Sequence, residues 1–120
     1  MRFLMIMMPD VYRRPVPPDF KPDLEAIRQM GQYNEQLQKA GVLLSLDGLT
    51  PPAAGARVSF AGGKVTVTDG PFAETKEVVG GYWMLRCGSR EEAIEWAKRC
   101  PAAVNDIIEI RRVYEPEDFG

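Results

Sequence analysis

Between Arg2 and Pro9 the chain carries six consecutive apolar residues, Phe3-Leu4-Met5-Ile6-Met7-Met8. The run is too short to span a membrane and lacks the polar alternation of a half-exposed strand, so it fits a central strand covered on both faces. Such a strand obliges the rest of the chain to supply a neighbour at each edge and cover for each face. With 120 residues, 45% of them hydrophobic and 27% charged, the chain is sized for a single domain over 1–120 that builds its own core. A net charge of −2 without a basic stripe points away from nucleic acid and from anionic membranes. Nothing reads as a signal peptide, and the expected location is cytoplasmic.

Turn-formers and periodicity divide the remaining residues into elements. Residues 10–22 hold Pro15, Pro17, Pro18 and Pro22 beside Tyr12, Arg13 and Arg14, a surface loop. A helix starts near Pro22-Asp23, with Leu24, Ile27, Met30, Tyr33, Leu37 and Ala40 as its buried stripe and Gly41 as its stop. Residues 42–49 predict a strand with Val42, Leu44 and Leu46 on one face and Leu43, Ser45 and Asp47 on the other. Residues 57–60 and 65–68 flank Ala61-Gly62-Gly63-Lys64, a hairpin in which Val58 and Phe60 face Val65 and Val67. A long strand is expected from Val78 to Cys87, with a bulge or close backbone approach at Gly80-Gly81. Ser89 and Glu92 form a capping box for a second helix that ends at Pro101, and Ile107 to Tyr114 is the last strand. Without the hairpin the order is βαββαβ, a ferredoxin-like α+β fold with an inserted β-hairpin. Both helices then lie on one face of the sheet, and a second copy is the economical cover for the other.

The stretch that reads as a site is Asp69-Gly70-Pro71-Phe72-Ala73-Glu74-Thr75-Lys76-Glu77. Asp69 has two readings: a carboxylate capping its own turn, or a general base raised in pKa by an aromatic cleft containing Phe72, Tyr82 or Trp83. Lys76 or Arg57 would then orient an anionic substrate, Glu74 and Lys76 share a face if the loop is extended, and Asp47 could pair with Asp69. Tyr82 and Trp83 are strand neighbours, so one of them faces the cleft and the other the core. The chain has no histidine, which removes the usual proton shuttle and the commonest metal ligand. No loop has the spacing of a cation cradle, so neither metal nor cofactor is expected. Cys87 and Cys100 read as small buried hydrophobes.

The stretch from Asp69 to Glu77 resembles the signature of DGPF-type proteins within the YCII-related superfamily. Tyr33-Asn34-Glu35, Ala40-Gly41-Val42-Leu43, Arg90-Glu91-Glu92-Ala93, Glu95-Trp96-Ala97 and Glu117-Asp118-Phe119 are similar to the same family. The resemblance implies a dimeric α+β barrel. It also implies an inter-sheet cleft in which Asp69 corresponds to the Asp of a His and Asp pair proposed for some relatives, a pair that cannot operate in a chain without histidine. Association with an extracytoplasmic-function sigma factor is a further implication. The expected function is therefore a homodimer binding a small anionic or aromatic metabolite, with Asp47, Arg57, Phe72, Glu74, Lys76, Tyr82 and Trp83 around the cleft. The alternative is a cofactor-independent isomerase or lyase acting through Asp69.

Overall fold

A computed structural model describes residues 1–72 and 77–120. Eight principal elements follow one another: β1 (Arg2–Met8), α1 (Leu24–Lys39), β2 (Leu43–Gly48), β3 (Ala56–Ser59), β4 (Thr66–Asp69), β5 (Gly81–Arg86), α2 (Arg90–Lys98) and β6 (Ile107–Arg112). The strands form a four-stranded sheet in the order β2-β5-β1-β6 and a separate two-stranded ribbon of β3 and β4. Every pairing is antiparallel. An α+β arrangement of this kind, with α1 packed against β2 and α2 against β1 and β6, is consistent with a ferredoxin-like fold.

The apolar run is central, as its composition requires: β5 and β6 flank β1. Its odd-numbered residues Phe3, Met5 and Met7 are buried with Trp83 and Leu85 of β5 and with Tyr33 and Leu37 of α1. Ile108 and Ile110 of β6 pack against this cluster from one side and Leu43 and Leu46 of β2 from the other. The even-numbered Leu4 and Ile6 lie on the opposite face and are only half-buried. Within one chain the central strand is thus covered on a single face.

Polar groups in the core are partnered. The Tyr33 hydroxyl donates to the Trp96 carbonyl at 2.6 Å, and the Trp83 indole N–H donates to Asn34 Oδ1 at 2.8 Å, so side chains tie α1 to both α2 and β5. Burial pushes the Tyr33 hydroxyl far above its ordinary value. The same cause raises the Cys100 thiol to about 12, and Cys87 shifts in the same direction. Both thiols are free, and both are held protonated, as small core residues are.

Four expectations change. A bulge between Leu43 and Ser45 turns Leu43 inward and leaves Leu44 exposed, so the alternation read from residues 42–46 breaks there. Leu24 and Ile27 do not join the buried stripe of α1; they are exposed, because the sheet lies under the later turns that carry Tyr33 and Leu37. β5 begins at Gly81 rather than Val78. In place of a ladder, the Gly80 N–H donates to the Met7 carbonyl at 2.8 Å and its carbonyl accepts from Leu49 N at 2.9 Å. Only half of the α2 capping box forms: Ser89 Oγ accepts from Glu92 N at 3.1 Å, while the Glu92 carboxylate reaches Gly88 N at 2.8 Å instead of Ser89.

Candidate functional site

The antiparallel registers put two rows of side chains across the uncovered face of the sheet. In one, Ser45, Met84, Leu4 and Arg111 follow one another across β2, β5, β1 and β6; in the other, Asp47, Tyr82, Ile6 and Glu109 do. Arg2 and Arg86 form a third pair beyond the first row. The middle of the face is therefore an apolar strip of Leu4, Ile6 and Met84 with Tyr82. One end carries arginines, and the other carries Asp47 and Glu109.

Tyr82 and Asp47 are joined. The Tyr82 hydroxyl donates to Asp47 Oδ2 at 2.7 Å. This bond raises the tyrosine above its ordinary value, desolvation and the negative charge of Asp47 add to it, and the Ser45 hydroxyl acts in the opposite sense. The phenol thus stays protonated as a fixed donor, and it steadies the Asp47 carboxylate. Among the described residues, Asp47 Oδ1 accepts no hydrogen bond.

The cations of the face differ in occupancy. Arg2 donates to Glu115 through Nε at 2.7 Å, and Arg111 stands 3.6 Å from Glu109. Arg86 has no ion pair among the described residues and is exposed. In the loop after β1, Arg13 and Arg14 both turn to Asp10, at 3.4 and 3.0 Å, which is the solvated-pair arrangement rather than an anion clamp.

The remaining sequence candidates separate. Trp83 belongs to the core, and Tyr82 is the neighbour that faces the open side. Arg57 on β3 lies over the Phe72 ring, 4.1 Å from its centroid, a cation–π contact that closes the base of the ribbon. Asp69 ends β4 opposite Ala56 and is exposed, and the self-capping reading finds no amide donor for it among the described residues. The amide bond of the turn is made instead by Gly70, whose N–H donates to the Gly55 carbonyl at 2.9 Å. Asp47 and Asp69 stand on different sheets. Glu74 and Lys76 lie outside the described residues.

Arg86, Glu109 and Arg111 also stand on this face, and sequence reasoning missed them. The signal for the β6 pair was present, because Ile108 and Ile110 point inward and their neighbours must point outward. Missing was the pairing of β6 with β1, which brings them onto the face shared with Tyr82.

No helix among the described residues is long and apolar enough to cross a membrane, and no group of three or more potential metal-ligating side chains occurs among them. The sequence is similar to an uncharacterized protein of Rhizobium meliloti (strain 1021), 34% identical over 76 residues, a match spanning 63% of this chain and 61% of that protein. The sequence profile of the YCII-related domain matches residues 1–117, nearly the whole chain, and the chain belongs to that family.

Proposed function

We propose that the protein is a homodimer whose two open sheet faces meet across a cleft that binds a small anionic, aromatic metabolite. The observation that carries this reading is the Tyr82-Asp47 pair set beside an apolar strip on a face that one chain leaves uncovered. A flat aromatic ring suits the strip of Leu4, Ile6 and Met84. The open oxygen of Asp47 accepts from a hydroxyl or amine on that ring, and an exposed arginine such as Arg86 at the far end takes an anionic group. The face is also self-complementary about one axis: when two copies stack by a two-fold that runs across the strands, the arginine end of one comes opposite the Asp47 and Glu109 end of the other. Such a pairing would complete the dimeric α+β barrel that the resemblance implies.

The test uses 4-hydroxybenzoate, which carries a ring, a hydroxyl and a carboxylate, with benzoate as a control. Light scattering at micromolar concentration is expected to give twice the 13.4 kDa chain mass. 4-Hydroxybenzoate is expected to raise the melting temperature saturably, and more than benzoate does. In Asp47→Ala the preference for the hydroxylated probe disappears. Equal response of Asp47→Ala and wild type to both compounds, or no response of wild type to either, refutes the site.

A further inference from the structure

We propose that the β3–β4 ribbon is an arm that lays its apolar face on a second copy of the chain. The inference deepens the homodimer reading above and rests on it, but it assigns the contact to a different part of the molecule.

The ribbon has two unlike faces. Val58 lies directly opposite Val67, with Phe60 and Val65 two residues further toward the turn, whereas Arg57 opposite Thr68 and Ser59 opposite Thr66 make the other face polar. All four apolar side chains are uncovered, Val58 at 53%, Val67 at 67%, Val65 at 66% and Phe60 at 71% exposure. A two-stranded ribbon is marginal in water by itself and needs a third layer under its apolar face. Among the described residues nothing supplies that layer, and the ribbon shares no ladder with the four-stranded sheet.

The size of the uncovered area points to a second copy. A compact monomer of 13.4 kDa exposes about 6,500 Å². This chain exposes 8339 Å², an excess of about 1,800 Å² over that figure. A standard interface removes about 800 Å² from each partner and an obligate dimer about 1,000–2,500 Å², so the excess is what one protomer of an obligate dimer carries. The radius of gyration agrees, 16.3 Å against about 13–14 Å for a compact domain of this length. The sheet face alone does not account for the difference, since Leu4, Ile6, Tyr82 and Met84 are already half-buried, whereas the ribbon residues are the more exposed set. A projecting element with an apolar face, on a chain lacking one protomer's worth of burial, fits an arm exchanged reciprocally across a two-fold axis.

The test is the quadruple variant Val58→Thr, Phe60→Thr, Val65→Thr, Val67→Thr, which puts β-branched threonine at each position and removes the apolar face. Sedimentation equilibrium is expected to show a dimer dissociation constant at least a hundredfold higher than that of wild type, with an unchanged far-ultraviolet spectrum. A variant that dimerises as tightly as wild type overturns the arm and leaves the open-face dimer standing. A wild type that is monomeric at 100 µM overturns both. Failure of 4-hydroxybenzoate to bind, with the variant dissociating as expected, overturns the ligand site alone. Should the variant not fold, amide exchange of wild type decides: the backbone amides of Arg57 and Thr68, which the register places in a hydrogen-bonded pair of the ribbon, are expected to be protected in concentrated dimer and to lose protection on dilution, and protection independent of concentration overturns the arm.

Discussion

Gly70 shows how one missing side chain fixes a corner. A Cβ built there lies 1.7 Å from the Pro52 carbonyl oxygen, a backbone atom that cannot step aside, and Gly70 N already holds the Gly55 carbonyl. Gly70→Ala is therefore expected to destabilise by about 2 kcal/mol or more, measured by urea denaturation. Gly31 is the contrast. It sits exposed within α1 with nothing inside 4 Å of its would-be Cβ, so Gly31→Ala is expected to stabilise by about 1 kcal/mol in the same assay. Both residues are glycines in the sequence, and only the fold tells a tight corner from a helix position open to alanine. Gly80 could be read further, since a close approach at the Gly80-Gly81 pair was legible, and its Cβ would meet the Pro9 ring at 2.6 Å.

Among the elements, the segment after β6 is held by charge. Arg2 donates to Glu115 and Arg112 donates to both oxygens of Asp118, at 2.9 and 3.0 Å, while Asp118 also accepts from Glu115 N at 2.7 Å. The hydrogen bond from Arg2 holds Glu115 below its ordinary value, and that from Arg112 does the same for Asp118, with the Glu115 N–H assisting. Carboxyls with depressed pKa values contribute stability that is complete above their unfolded values, about 4 to 4.5, and that fades as pH falls through the folded values. Glu115→Gln with Asp118→Asn is therefore expected to melt lower than wild type at pH 6, with the gap closing below about pH 4 in thermal scans. A gap of constant size from pH 6 to pH 3 would show that the pairs do not stabilise the segment.

The elements were largely legible because burial leaves a mark on each of them: an unbroken apolar run on β1, Ile108 and Ile110 alternating with charged residues on β6, and Tyr33 and Leu37 at helical spacing on α1, although the run on β1 did not tell which of its faces the chain covers. Illegible were the features set by register and by neighbours. The bulge at Leu43, the start of β5 at Gly81 and the exposure of Leu24 all depend on what lies across a ladder or beneath a helix turn, and no local pattern encodes that. The candidate site divides in the same way. That Tyr82 and Trp83 face opposite sides followed from alternation, while which of them is on the open side, and the bond to Asp47, required the fold and the β2–β5 register.

For the whole molecule, the uncovered sheet face and the uncovered ribbon both gain cover in the proposed dimer, which makes the protomer more stable as one of a pair. Folding and association should then be linked, and the melting temperature is expected to rise with protein concentration, by several degrees between 1 and 100 µM in calorimetry. A melting temperature that does not move over that range is the signature of a self-sufficient monomer.

The central position of β1 also carries a kinetic consequence. Its two ladder partners are β5 and β6, whose pairs join Arg2 to Arg86 and Phe3 to Arg112. On the ribosome β1 is made long before either partner, and its six apolar residues wait with no ladder neighbour until β5 and β6 follow. Loop closure on that scale is slow, so the chain belongs with high-contact-order folders, in which an unpaired apolar strand stays open to aggregation until its distant partners arrive.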